Sequence, residues 1–186
     1  MRYVAFLRGV NVGGHRPLKM PGLRAAFEGM GFRNVRTVLA GGNVVFDPGG
    51  QEEPAALGAR IEVDLNLVFG YPIAVAVRRV ADLERLIASD PFRGVALTPE
   101  TRLYVTFLAH PVKNGNRARP DRRESDLKIV QVAPGEVLSA ITLSPGRSTT
   151  ELMAFLEKEF GPGVTTRNWN TVTKIAGGPP GSPPEV

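Results

Sequence analysis

"VRTVLAGGNVVFDP", residues 35–48, decides the fold. Two apolar, β-branched runs, "VRTVLA" (35–40) and "VVFDP" (44–48), flank "GGN" (41–43), a turn that needs glycine backbone freedom. The pair reads as an antiparallel hairpin. On its N-terminal side, Pro21 suits the first turn of a helix, Leu23, Ala26, Phe27 and Met30 recur at helical spacing, and Gly31 stops it. Before that helix, "YVAFLRGV" (3–10) reads as a buried strand bounded by glycine. After the hairpin, Leu57, Ile61, Leu65 and Val68 mark one face of a helix that ends near Gly70, and "IAVAVRRV" (73–80) is a further strand. The order is β-α-β-β-α-β with the hairpin at its centre, which is the ferredoxin-like order.

Residues 81–176 predict a second, related α+β half, and residues 1–80 form the first. "ADLERLIASDPF" is a helix stopped at Asp90-Pro91, and "RLYVTFLA" (102–109) is a strand. A long polar loop (110–126) follows. "LKIVQVA" and "EVLSAITLS" are strands joined by Pro134-Gly135. "STTELMAFLEKEFG" (148–161) is a helix with Ser148 and Glu151 in the capping-box pattern. "VTTRNWNTVTKIA" (164–176) predicts a short strand and then a helix from Asn168. The Gly/Pro-rich end, 177–186, has almost nothing to bury and is expected to be disordered.

Composition bounds the function. The 186 residues, 42% hydrophobic and 22% charged, suit a globular chain with a real core. With no cysteine, disulfides, thiol nucleophiles and Cys-ligated zinc are excluded. The apolar run Tyr3 to Leu7 is too short for a signal sequence, and no stretch approaches a membrane span. A cytoplasmic location with no membrane partner is expected. The formal charge of +5 favours anionic partners.

One loop has the composition of an anion site. In "RGVNVGGHRPLKM" (8–20), glycines can turn backbone N–H groups inward, and the next helix adds the positive end of its dipole. Arg8, Arg16 and Lys19 supply full charges. The loop matches neither a P-loop nor G-x-G-x-x-G, and a plain glycine turn with solvated arginines explains it equally well. "TTRNWNT" (165–171) places hydroxyls, a guanidinium, asparagine amides and an indole within seven residues. As a structural element it is a helix capped by Asn168 with Trp169 in the core. Asn43 either faces a ligand or closes its own turn, the turn being favoured.

The candidate ligand-binding residues are therefore Arg8, Asn11, Gly13, Gly14, Lys19, Asn43, Thr166, Arg167 and Asn168, in a crevice between the two segments. The expected ligand is a small phosphorylated anion. A nucleic-acid-binding module is the alternative, with Tyr3, Phe6, Phe46, Tyr104 and Phe107 as candidate stacking aromatics. A scaffold protein without a ligand is the third. The basic loop 110–126 has no aromatic for base stacking and reads as solvated. His15 and His110 are the only histidines, and no catalytic or metal motif is present, so neither a reaction nor a cofactor is assigned.

Several segments, in order from residue 1 to about 176, resemble the DUF1697 family, a domain of unknown function. They are "RGVNVGG" with Lys19-Met20, "GFRNVRTVLAGGNVVF", "FGYPIAVAVRRVADLERLIASDPF", "GRS" (146–148) and "TTRNWNTVTKIA". The resemblance implies a bacterial-type cytoplasmic protein of ferredoxin-like α+β units, and no activity. Two positions depart from the family pattern. Gly41 stands where serine usually precedes Gly-Asn, and Thr149 stands where lysine often follows "RS".

Overall fold

A computed structural model describes residues 1–11, 17–109, 127–143 and 149–177. The described chain is mixed α+β and divides into two compact units, Met1–Leu83 and Glu84–Val186.

The first unit runs β1 (Tyr3–Leu7), α1 (Met20–Gly29), β2 (Arg33–Thr37), β3 (Asn43–Asp47), α2 (Pro54–Phe69) and β4 (Val75–Arg79). Its sheet has the order β2-β3-β1-β4, and every neighbouring pair is antiparallel. This is the ferredoxin-like arrangement. The hairpin strand β3 inserts beside β1, so β1 and β2, the two ends of the first β-α-β, are split apart. The first strand is central, which is why all five of its residues are buried.

The helices cover one face of that sheet. Tyr3, Ala5 and Leu7 of β1 and Val44 and Phe46 of β3 meet Leu23 and Phe27 of α1 and Leu57, Ile61 and Leu65 of α2 in one core. Phe46 anchors the aromatic part, with its ring centroid 4.5 Å from Phe32 and 5.4 Å from Phe27. Gly58 lets α2 lie close on β4, since a Cβ there would come within 3.2 Å of the Val75 carbonyl. Glu62 fixes the same contact by accepting the Val75 N–H at 2.7 Å.

The second unit follows helix α3 (Val80–Ala88) and contains β5 (Thr101–Phe107), β6 (Leu127–Val132), β7 (Glu136–Thr142), α4 (Thr149–Phe160), β8 (Thr165–Asn168) and α5 (Trp169–Ala176). Its sheet order, β6-β7-β5-β8, repeats that of the first unit with each strand in the corresponding place, again all antiparallel. The two halves are therefore alike in topology. One core of this unit gathers Leu127, Val137, Ile141, Leu156 and Val164. Trp169 is also buried and stands edge-on to Phe92 at 5.0 Å.

The expected elements are all present, with shorter ends. The strand expected over 3–10 stops at Leu7, because Gly9 and Asn11 take left-handed φ values of 66° and 58°. The strand expected over 35–40 shifts to Arg33–Thr37, and Leu39 already turns at φ 57°. The polar loop 110–126 with His110, the Ser148 cap and the tail from residue 178 lie outside the described residues.

Candidate functional site

The loop after β1 is shaped by Asn11. Its Oδ1 accepts the Leu18 N–H at 2.7 Å, and its Nδ2 donates to the Leu18 carbonyl at 3.0 Å. The same Nδ2 donates to the Ala40 carbonyl, in the β2–β3 turn, at 2.8 Å. One amide thus ties both ends of segment 11–18 together and joins them to the hairpin. Its left-handed φ suits asparagine, which tolerates that region better than most side chains.

The hairpin turn locks in from the other side. The Leu7 N–H donates to the Gly42 carbonyl at 2.8 Å, and the Val38 N–H to the Asn43 carbonyl at 2.8 Å. Gly42 has φ 71°, and a Cβ there would collide with Val10 Cγ2 and touch Leu7 Cβ at 3.0 Å. Only glycine fits. Asn43 is buried, and its Nδ2 donates to the Val38 carbonyl at 2.9 Å. Its amide closes the turn, the arrangement favoured from the sequence.

The cations stand differently. Arg8 is half-buried, and its main-chain N–H donates to the Ala74 carbonyl at 2.8 Å, which ties the loop's start to the chain entering β4. Lys19 is exposed and occupies the N-cap position of α1. It makes no side-chain cap bond, and the first turn of α1 has no acidic residue. Gly13 and Gly14, with Arg16 and His15, lie outside the described residues.

In the second unit, strand alternation divides the three candidates at 166–168. Thr106 pairs with Thr166 and Tyr104 with Asn168, so Thr166 and Asn168 share a face with Tyr104 and Thr106. The Thr106 and Thr166 hydroxyls lie 2.9 Å apart. Arg167, opposite Val105, points to the other face. There its guanidinium donates to Thr165 Oγ1 at 2.8 Å and to the Thr166 carbonyl at 2.9 Å. Burial pushes its pKa down to about 10. Asn168 caps α5, its Oδ1 accepting the Asn170 N–H at 2.9 Å. The 8–20 and 165–171 segments belong to different units.

The candidate stacking aromatics are not surface groups. Tyr3, Phe6, Phe46 and Phe107 are fully buried, and Tyr104 is packed against the second unit's core. The Tyr3 hydroxyl donates to the Glu52 carbonyl at 2.7 Å. A base could stack on the four fully buried rings only if the sheets opened, whereas Tyr104 is part-exposed.

Sequence reasoning missed the Asn11 clamp and the contact of Gly42 with Val10. The first had a signal, an asparagine beside glycines in a turn-forming loop. The second depends on which loops the sheet order brings together.

The family model described as "Protein of unknown function (DUF1697)" matches residues 1–138. The chain belongs to this family. It is also similar in structure to a conserved bacterial protein, SP0830, from Streptococcus pneumoniae. The TM-score is 0.67 at 20% identity, over 95% of this chain and 97% of that one. At that identity the likeness is one of fold. None of the curated proteins matches the sequence. The matched region includes the Asn11 clamp and the whole of the first unit. Among the described residues no helix is long and apolar enough to cross a membrane, and no cluster of His, Cys, Asp and Glu could hold a metal ion.

Proposed function

We propose that this member of the family binds a small phosphorylated anion at the β1–α1 connection, residues 8–20. The observation that carries the reading is the N-terminus of α1. It starts with neither a side-chain cap nor an acidic residue, directly beside an exposed lysine. Helix geometry leaves the first N–H groups without an intrahelical acceptor, and the helix dipole favours negative charge there. Lys19 and Arg8 supply the full charges, and in sequence Gly13 and Gly14 add backbone N–H groups between them. Asn11 and Asn43 act as positioning residues, since their amides hold the loop and the hairpin in shape. The site is assigned within the first unit alone.

The test is thermal unfolding in inorganic phosphate and in chloride at matched ionic strength, for the wild type, Lys19→Ala and Arg8→Ala. Phosphate stabilises most proteins by exclusion from their surface, so the increment must be compared between variants. A charge-assisted hydrogen bond contributes about 1.5–3 kcal/mol. The phosphate-specific increment should therefore shrink several-fold in each variant while the general salt effect stays. Equal increments in all three proteins would leave the loop as a glycine-rich turn.

A further inference from the structure

Between the two helices of the first unit runs a groove of about 520 Å³. Gly22, Ala26 and Gly29 of α1 lie along one wall, and Leu67 and Val68 of α2 stand on the other. These two aliphatic side chains are 77% and 58% exposed, so the groove offers apolar surface that the chain leaves uncovered. The glycines are not required by this chain's own packing. Neither takes a left-handed φ, and a Cβ on either would meet nothing within 4 Å. Glycine weakens a helix relative to alanine. At these two positions it leaves the α1 backbone open to whatever enters the groove.

One carboxylate stands in this apolar setting. Asp64 of α2 is the single charged residue that lines the groove. It is part-buried, and among the described residues it makes no hydrogen bond or ion pair. The cations nearby are engaged elsewhere. Arg60, one turn before Asp64, pairs with Glu52 at 3.6 Å and lies over the Phe32 ring at 4.8 Å. Arg24 of α1 pairs with Glu28 at 2.8 Å. An unpaired carboxylate beside apolar surface is complementary to a cation that carries an apolar body. On a chain of net charge +5, the groove thus selects the opposite sign of ligand from the rest of the surface.

Size favours a small molecule over a protein. Helices of 10 and 16 residues, at ~1.5 Å rise and ~10 Å width, project only about 390 Å². That is about half of the ~800 Å² that each partner gives to a standard protein interface. The groove volume instead falls inside the roughly 300–1,000 Å³ of small-molecule sites.

We propose that the α1–α2 groove binds a small aliphatic amine, its ammonium paired with Asp64 and its hydrocarbon chain lying between Leu67, Val68 and the Gly22–Ala26–Gly29 wall. The site is independent of the 8–20 loop and of any anion bound there. The test titrates the full chain at pH 7 and constant ionic strength with n-hexylammonium, 1-hexanol, n-hexanoate and methylammonium, followed by amide ¹H–¹⁵N correlation spectra. Hexylammonium should saturate below about 50 mM, with the shifted amides confined to α1 and α2. Hexanol, which lacks the charge, should bind about threefold to fivefold more weakly, the order expected of a part-exposed ion pair. Hexanoate and methylammonium should bind more weakly still. Asp64→Asn should bring the hexylammonium dissociation constant to that of hexanol and leave hexanol unchanged. Ala25→Leu, at an exposed position on the α1 wall, should weaken both at least threefold with an unaltered melting temperature. Absence of saturation by hexylammonium overturns the proposal. So does equal binding of hexylammonium and hexanoate, or hexylammonium binding that Asp64→Asn and Ala25→Leu leave unaffected.

Discussion

Asn11 reaches across 29 residues of sequence to hold Ala40, its Nδ2 2.8 Å from the Ala40 carbonyl oxygen. The bond joins the loop after the central strand to the turn of the hairpin beside it. The glycine loop is therefore anchored at its base, where a ligand-binding loop needs rigid support.

Asn11→Gly removes the three amide bonds and keeps the left-handed backbone accessible; Asn11→Ala removes the bonds and adds strain. At about 1 kcal/mol for each partly exposed bond, denaturant unfolding should show a loss of roughly 2–3 kcal/mol for Asn11→Gly. Asn11→Ala should lose about 1 kcal/mol more. Equal values for the two variants would mean that φ 58° is not retained in solution.

Gly42→Ala should be among the most damaging changes in the first unit, because its new methyl meets Val10 and Leu7 while the backbone is held at φ 71°. Gly31→Ala is the matched control, with φ 84° and open space around the Cβ. Urea midpoints should place Gly31→Ala about 1 kcal/mol below wild type and Gly42→Ala at least 2 kcal/mol below. A small effect at Gly42 would show that the two loops separate at little cost.

Tyr104 makes the second unit sensitive to alkali. Burial raises its pKa above 10, with Arg102 partly opposing. Its folded pKa then exceeds its unfolded one. The contribution to stability is full below pH 10 and is lost as pH rises through the folded value. Absorbance titration of tyrosinate should show a late component that Tyr104→Phe removes, and the variant should have a shallower alkaline fall in stability. An unchanged titration would contradict the burial of this hydroxyl.

Arg167 shifts the other way. Burial lowers its pKa to about 10, so the folded state holds this proton less tightly than the unfolded chain does, while the group stays charged at neutral pH. Arg167→Lys places a more weakly basic group in the same surroundings, and burial should bring its titration into the mildly alkaline range. Because the folded pKa is then the lower, stability of this variant should rise with pH through that range, while the wild type stays flat there. Melting temperatures at several pH values decide it.

Trp169 is the only tryptophan in the chain and packs on Phe92. Phe92→Ala should cost about 3 kcal/mol in the second unit and shift the folded-state emission to the red. Emission unchanged from wild type would mean that the indole is shielded by other contacts.

The fold was legible in the sequence because its signals were local. Leu57, Ile61 and Leu65 repeat at helical spacing, and two β-branched runs flank Gly41–Asn43, so the β-α-β-β-α-β order followed. Strand pairing gave the rest, since the hairpin rule puts β3 against β2 and the fold puts it against β1. The site was less legible. Thr166, Arg167 and Asn168 looked like one polar cluster, but a strand through them sends Arg167 to the opposite face. Once the segment is taken as extended, that division follows from period-two alternation. Asn11 was visible as a polar loop residue, yet its partner Ala40 depends on which strands are neighbours.

The central place of β1 also orders events in time. Its partners in the first sheet are complete once Arg79 has been synthesised, before the second unit's first strand begins at Thr101. At about 5–20 residues per second, the first sheet has several seconds to close before Asn168 exists. Two units of the same strand order could exchange partners if both were unfolded together. A nascent chain meets that hazard one half at a time, and a chain refolding from denaturant meets it all at once.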